Sequence, residues 1–177
     1  MRIVLYPFMF LAGFGFALSV AAHIGALLEA RFPGGKSAWL LHVGIFVVWL
    51  PTILLTISLT RDVPRREVWK VVLAGCPVWM RRTFYVICAY AMVNFVHFAV
   101  TNAHKPKSKV EVPASIVRGF SGHWMAFYGA AFAILYSTIH RADSDLLRRC
   151  PHGHGVSPTA RFCAECGHAL LDESGHP

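Results

Sequence analysis

At 177 residues, with 55% hydrophobic and only 15% charged residues, the chain is too apolar for an ordinary soluble domain. Its apolar residues come in long blocks with the charges between them. The net charge of +8 therefore reads as membrane topology and headgroup contact, and no nucleic acid is expected as a partner.

Four blocks, at about 3–28, 38–59, 84–100 and 122–139, are long enough or nearly so to cross a hydrocarbon core of roughly 30 Å as helices. Nothing alternates with period two as a barrel strand would, so helices are the only option. The first block has Arg2 as a minimal positive start and small residues at Val20-Ala21-Ala22. Its apolar stretch of about twenty residues exceeds the roughly 7–15 of a signal peptide, so a retained helix is expected. Phe32-Pro33-Gly34-Gly35 predicts a tight turn, and Pro51 a kink in the second helix.

The connection after the second block is more than a loop. In 65–82, Val68, Trp69, Val71, Val72, Leu73, Val78, Trp79 and Met80 are bracketed by Arg65, Arg66, Lys70, Arg81 and Arg82. Such a pattern suits an amphipathic segment lying in the headgroup layer and broken at Gly75-Cys76-Pro77. With the N-terminus inside, eleven of the 17 Lys and Arg residues fall on one side. Basic residues favour the cytoplasm, so both termini are expected there, in a multi-pass protein of the cell's inner membrane. The run Lys105-Pro106-Lys107-Ser108-Lys109 is an exception on the outer side. A cytosolic tail would also keep its cysteines reduced.

Past the fourth block the composition changes. The run CPHGHGVSPTARFCAECG places Cys150, His154, Cys163 and Cys166 in a small C-terminal head at 146–171, ahead of a tail, 172–177, expected to be disordered. Three thiolates and an imidazole suit tetrahedral zinc. So short a segment buries too little apolar surface to fold unaided, and a metal would supply the missing free energy. Gly155 and Gly167 follow ligands, where the chain must turn. The stretch 150–167 resembles the zinc-ribbon family, in a variant where CPxGH replaces the first CPxCG and FCxxCG forms the second knuckle. That resemblance implies Cys150, His154, Cys163 and Cys166 as ligands of a structural Zn²⁺, with His152 or His168 competing for the fourth place. Ribbons of this kind often serve as protein-contact modules, which implies a cytosolic protein or a second copy of the chain as partner.

A second constellation lies in the apolar blocks. His23, His42, His97 and His123 each sit toward the outer end of a span, and facing imidazoles at one depth could ligate haem, copper or another metal. The alternative is that they hydrogen-bond between helices or serve as a proton relay. Phrases such as LHVGIFVVWLP and GFSGHWMAFYGAAFAILYS resemble uncharacterised four-span bacterial membrane proteins, which implies an architecture and no activity. No nucleophile–base pair, phosphate loop or paired carboxylates point to an enzyme. The expected fold is an all-α four-helix transmembrane bundle over 1–140, followed by the zinc ribbon.

Overall fold

The computed structural model describes residues 2–29, 38–61, 63–102, 114–141, 148–156 and 160–170. Among these the elements run α1 (Leu5–Leu27), α2 (Ala38–Leu59), α3 (Val68–Val72), α4 (Val78–Asn102), α5 (Ala114–His140), β1 (Arg148–Arg149) and β2 (Gly155–Val156). The turn expected at Phe32-Pro33-Gly34-Gly35, the run from Lys105 to Lys109 and the tail lie outside the described residues.

By length and composition, α1, α2 and α4 can each cross a membrane, with mean hydropathies of 1.8, 2.2 and 1.6. Their apolar residues mostly point outward: only 17% of the α2 window and 11% of the α4 window is buried inside the protein. Leucine, isoleucine, valine and phenylalanine over that much exposed surface suit an apolar surrounding and not water.

The 27-residue α5 is the longest helix and falls short of the same measure, yet it holds the centre. It packs against α1, α2 and α4, and it buries Gly119, Ser121, Gly122, Ala130, Ala131, Ala133 and Ser137 alongside Trp124 and Tyr128. Small residues let neighbouring backbones come close, which drives helix packing where lipid tails leave little hydrophobic gain. α1 answers with a matching stripe of Ala12, Gly15, Ser19, Ala22 and Ala26.

Tyr128 locks three helices. A Cβ on Gly15 would lie 2.7 Å from its Cζ, and one on Gly44 would meet its hydroxyl, so both glycines leave room for the ring. The hydroxyl donates to the Leu41 carbonyl of α2 at 2.8 Å. On the other side, Asn94 of α4 donates to the Arg118 carbonyl at 2.9 Å. Pro51 sits inside α2 without ending it. Thr52, Thr56 and Thr60 below it each donate a hydroxyl to the carbonyl four residues back, at 2.7–2.8 Å.

Two sequence expectations need revision. The third apolar helix begins at Val78, six residues before the expected 84, so Trp79, Met80, Arg81 and Arg82 are part of the same continuous helix. The piece before it packs on α5 with its apolar face. Val71, Val72 and Leu73 are buried, and Val72, Leu73 and Cys76 cluster with Ala130, Ala133 and Ile134 of α5. Gly75 donates its N–H to Ser137 Oγ at 2.9 Å, and Cys76 its thiol to the Ala133 carbonyl at 3.1 Å. A Cβ on Gly75 would strike the Ser137 backbone, so this close approach is open only to glycine. Burial pushes the Cys76 thiol up from its ordinary pKa, in keeping with a structural role. The fourth expected span, 122–139, lies within α5, which starts eight residues earlier at Ala114.

Candidate metal centre

The C-terminal head is two hairpins facing one another. In the first, Arg148 pairs with Val156 and Arg149 with Gly155 in antiparallel register, and Cys150 N–H donates to the His154 carbonyl at 3.0 Å. The second has a bridge between Phe162 and Ala169 and a bond from Cys163 N–H to the His168 carbonyl at 2.9 Å. The loops differ by one residue. Three residues, 151–153, separate the paired Cys150 and His154, whereas four, 164–167, separate Cys163 and His168.

That difference explains the histidine. In the second hairpin the loop itself carries Cys166, close enough for a short thiol. The shorter first loop puts Gly153 at that place, and the next ligand falls on the strand opposite Cys150, from where an imidazole reaches further than a thiol. The turns need a left-handed residue, and the structure assigns it to Gly153 (φ +85°) and Gly167 (φ +69°). Gly155, expected to be the first turning glycine, is instead part of β2. The missing loop residue shifts the turn forward.

Cys150, His154, Cys163 and Cys166 converge, with one ligand atom from each lying within 4.8 Å of all the others. The spacing can be tested against zinc. Tetrahedral bonds of about 2.3 Å to sulfur and 2.0–2.1 Å to nitrogen imply S···S near 3.8 Å and S···N near 3.6 Å. Cys150 Sγ lies 3.8 Å from Cys166 Sγ and 3.4 Å from His154 Nδ1, and Cys163 Sγ lies 3.7 Å from the same nitrogen. The donor set can hold a metal ion such as zinc. His152 and His168 do not join the group; they face each other edge to face, ring centroids 5.5 Å apart.

Electrostatics favour a cation between the sulfurs. Burial alone would raise the Cys163 thiol, but N–H groups of Cys166 and Glu165 and contacts from Cys166 and His154 outweigh it, bringing it down to about 6. Cys166 is held above its ordinary value. The His168 backbone N–H favours its thiolate, but desolvation and the Cys163 and Cys150 sulfurs prevail. Three sulfurs at this spacing cannot all ionise without a counter-charge, which a divalent metal provides.

One participant escaped the sequence reading. Glu165 Oε2 lies 3.6 Å from His154 Nε2, so with Nδ1 facing the sulfurs the carboxylate favours a proton on the far nitrogen. The available signal was an acid placed between the two cysteines of the second knuckle.

The four histidines of the long helices have separate surroundings. His23 is buried and occupied at both ring nitrogens, Nδ1 by Ser121 Oγ at 2.8 Å and Nε2 by the Tyr90 hydroxyl. His42 Nδ1 accepts from Trp124 Nε1 at 3.2 Å. Phe120 contacts both His42 and His123, with centroids 6.2 and 6.4 Å away. His123 also packs on Phe95, and His97 is exposed. Among the described residues, no three of these imidazoles gather round a common point. No protein-family model, curated protein or solved structure matches the chain.

Proposed function

We propose that this is a multi-pass membrane protein whose four long helices form a transmembrane anchor and whose C-terminal head is a structural zinc ribbon that docks a cytosolic protein or another copy of the chain. The observation that carries this reading is the convergence of three sulfurs and one imidazole nitrogen within 4.8 Å of one another, with three of the spacings close to those of tetrahedral zinc. A site with four protein ligands leaves no open position for water, so its role is to fold the head and not to catalyse.

Two further features support docking. The head's buried cluster is Cys150, Val156, Cys163 and Leu170, so half of it consists of ligands. Phe162, by contrast, is 64% exposed on this small unit, an apolar side chain presented outward beside Arg161. α5 crosses the bilayer shielded by α1, α2 and α4, and the excess of basic residues on one side orients both termini toward the cytoplasm. The chain is read as non-enzymatic and of bacterial inner-membrane type. Haem or copper binding by the four membrane histidines is not favoured, because His23 has both nitrogens engaged and Phe120 stands beside His42 and His123.

The test is elemental analysis joined to capture. The purified full chain is expected to be colourless, with about one zinc per molecule. Changing Cys163 and Cys166 to Ser should remove the zinc and abolish recovery of a bound partner while the chain still inserts. Partner recovery that survives the double change would show that the ribbon is not the contact.

A further inference from the structure

His152 and His168 are left over once the four ribbon ligands are assigned. Both are exposed, and neither imidazole makes a hydrogen bond or ion pair among the described residues. They face each other across the two knuckles, ring centroids 5.5 Å apart and planes at 84°. The turns hold them there. His152 lies in the first turn, which Gly153 N–H closes onto the Cys150 carbonyl at 2.8 Å. His168 follows the second turn, where Gly167 N–H donates to the Cys163 carbonyl at 2.8 Å and Cys163 N–H donates to the His168 carbonyl at 2.9 Å. The pairing that gathers the four ligands therefore also fixes the backbone under both histidines.

Their spacing suits two imidazoles on one ion. Tetrahedral bonds of about 2.0–2.1 Å from a metal to two imidazole nitrogens place the ring centroids about 5.2 Å apart. The observed separation is close to that, and rotation about the soft Cβ–Cγ bond of an exposed histidine aims its nitrogens. Neutral nitrogen donors select first-row transition ions such as Zn²⁺ and Ni²⁺ over Mg²⁺ and Ca²⁺, which take oxygen. The local charge also favours a cation. A zinc-loaded ribbon sets three thiolates against two positive charges, and its His154 ring lies 6.5 Å from that of His152. Glu165 adds a carboxylate 3.6 Å from His154 Nε2. With two protein ligands and water in the remaining positions, such an ion exchanges readily, unlike one in a closed four-ligand site. We propose that His152 and His168 form a second, exchangeable site for a divalent transition-metal ion beside the ribbon; the inference rests on the zinc-ribbon reading above, which supplies the neighbouring charge.

The experiment uses the full chain in detergent, dialysed against metal-free buffer. Its retained zinc is measured first, and Zn²⁺ is then added under calorimetry. A second equivalent should bind more weakly than the first, with Ni²⁺ competing for it and excess Mg²⁺ not. His152→Ala or His168→Ala should each weaken this second binding by more than about tenfold, since losing a ligand costs more than losing its support. The retained zinc and the amide protection of 148–170 should stay unchanged in both variants, which shows that the head still folds. His97→Ala and His140→Ala, at exposed positions on the long helices, should leave the second equivalent as it was. Absence of a second equivalent in the zinc-loaded chain would reduce the pair to a ring contact and overturn the proposal. So would a second equivalent that survives the double change of His152 and His168, or one that Mg²⁺ displaces as well as Ni²⁺ does. A chain whose four-ligand site takes up no zinc would instead overturn the ribbon reading, and the second site with it.

Discussion

Replacing His154 by Ala distinguishes a zinc-folded head from a tail with adjacent cysteines. Val156 and Leu170 are the buried apolar side chains that are not ligands, and together they contribute about 3–6 kcal/mol. Zinc bound by such a donor set contributes about 10–16 kcal/mol, so the metal dominates the folding of residues 148–170. Loss of a supporting carboxylate typically lowers metal affinity about 10–100-fold, and loss of a ligand must cost more than that. His154→Ala should therefore weaken zinc binding by more than about a hundredfold. Glu165→Gln should weaken it by about tenfold, the low end, because the carboxylate is exposed and 3.6 Å from the ring. His152→Ala and His168→Ala should leave affinity near that of the parent, since neither joins the cluster. The assay is competition with a chromophoric chelator on the full chain in detergent, paired with amide hydrogen exchange over 148–170. Protection that persists after zinc is stripped would refute the argument. So would His168→Ala costing as much as His154→Ala.

Three other outcomes test the scaffold and its setting. Gly15→Ala should destabilise the bundle by about 1–3 kcal/mol because its Cβ meets the Tyr128 ring, whereas Gly13→Ala should be neutral or stabilising by up to about 1 kcal/mol; matched thermal unfolding in detergent compares them. Ser137→Ala removes the acceptor of the Gly75 N–H, costs about 1–3 kcal/mol, and should speed alkylation of Cys76, read by mass spectrometry. Thiol reagents that do not cross membranes should label Cys150, Cys163 and Cys166 only in inverted vesicles stripped of zinc. Labelling of intact cells would place the head outside.

The first two helices were legible nearly to the residue, at 3–28 against Leu5–Leu27 and 38–59 against Ala38–Leu59. Their ends coincide with the ends of apolar blocks, because lipid contact and helix length select the same residues. α4 and α5 were harder for opposite reasons. α4 begins before Arg81 and Arg82, which break the apolar block but not the helix. α5 is the inner helix, so Ser121, Gly122 and Ser137 face protein and its hydropathy falls although it is the most enclosed element. That Cys150, His154, Cys163 and Cys166 come together was legible in the cysteine spacing and the resemblance it carried. The turning glycine could not, since whether Gly153 or Gly155 takes the left-handed conformation depends on one residue of loop length that only the hairpin pairing shows. Similarly, the partners of His23 are 67 and 98 residues away in sequence, beyond the reach of any local pattern.

On the proposed reading, the polar groups of the bundle and a metal in the head answer the same physical requirement at two scales. Among the helices, His23, Ser121, Asn94, Trp124 and Tyr128 bond one helix to another, so hydrogen bonds join close packing in holding them together. The head has too few buried apolar residues to repeat that solution, and in the proposed zinc site four donor atoms would take over. The connection between them limits what the head can do. From His140 to Arg148 is eight residues, which span at most about 29 Å when fully extended. A head on so short a tether stays within roughly one bilayer thickness of the end of α5. A partner of the kind proposed would therefore have to come to the membrane or already reside there, and a second copy of this chain, held in the same plane by the same anchor, would meet that condition.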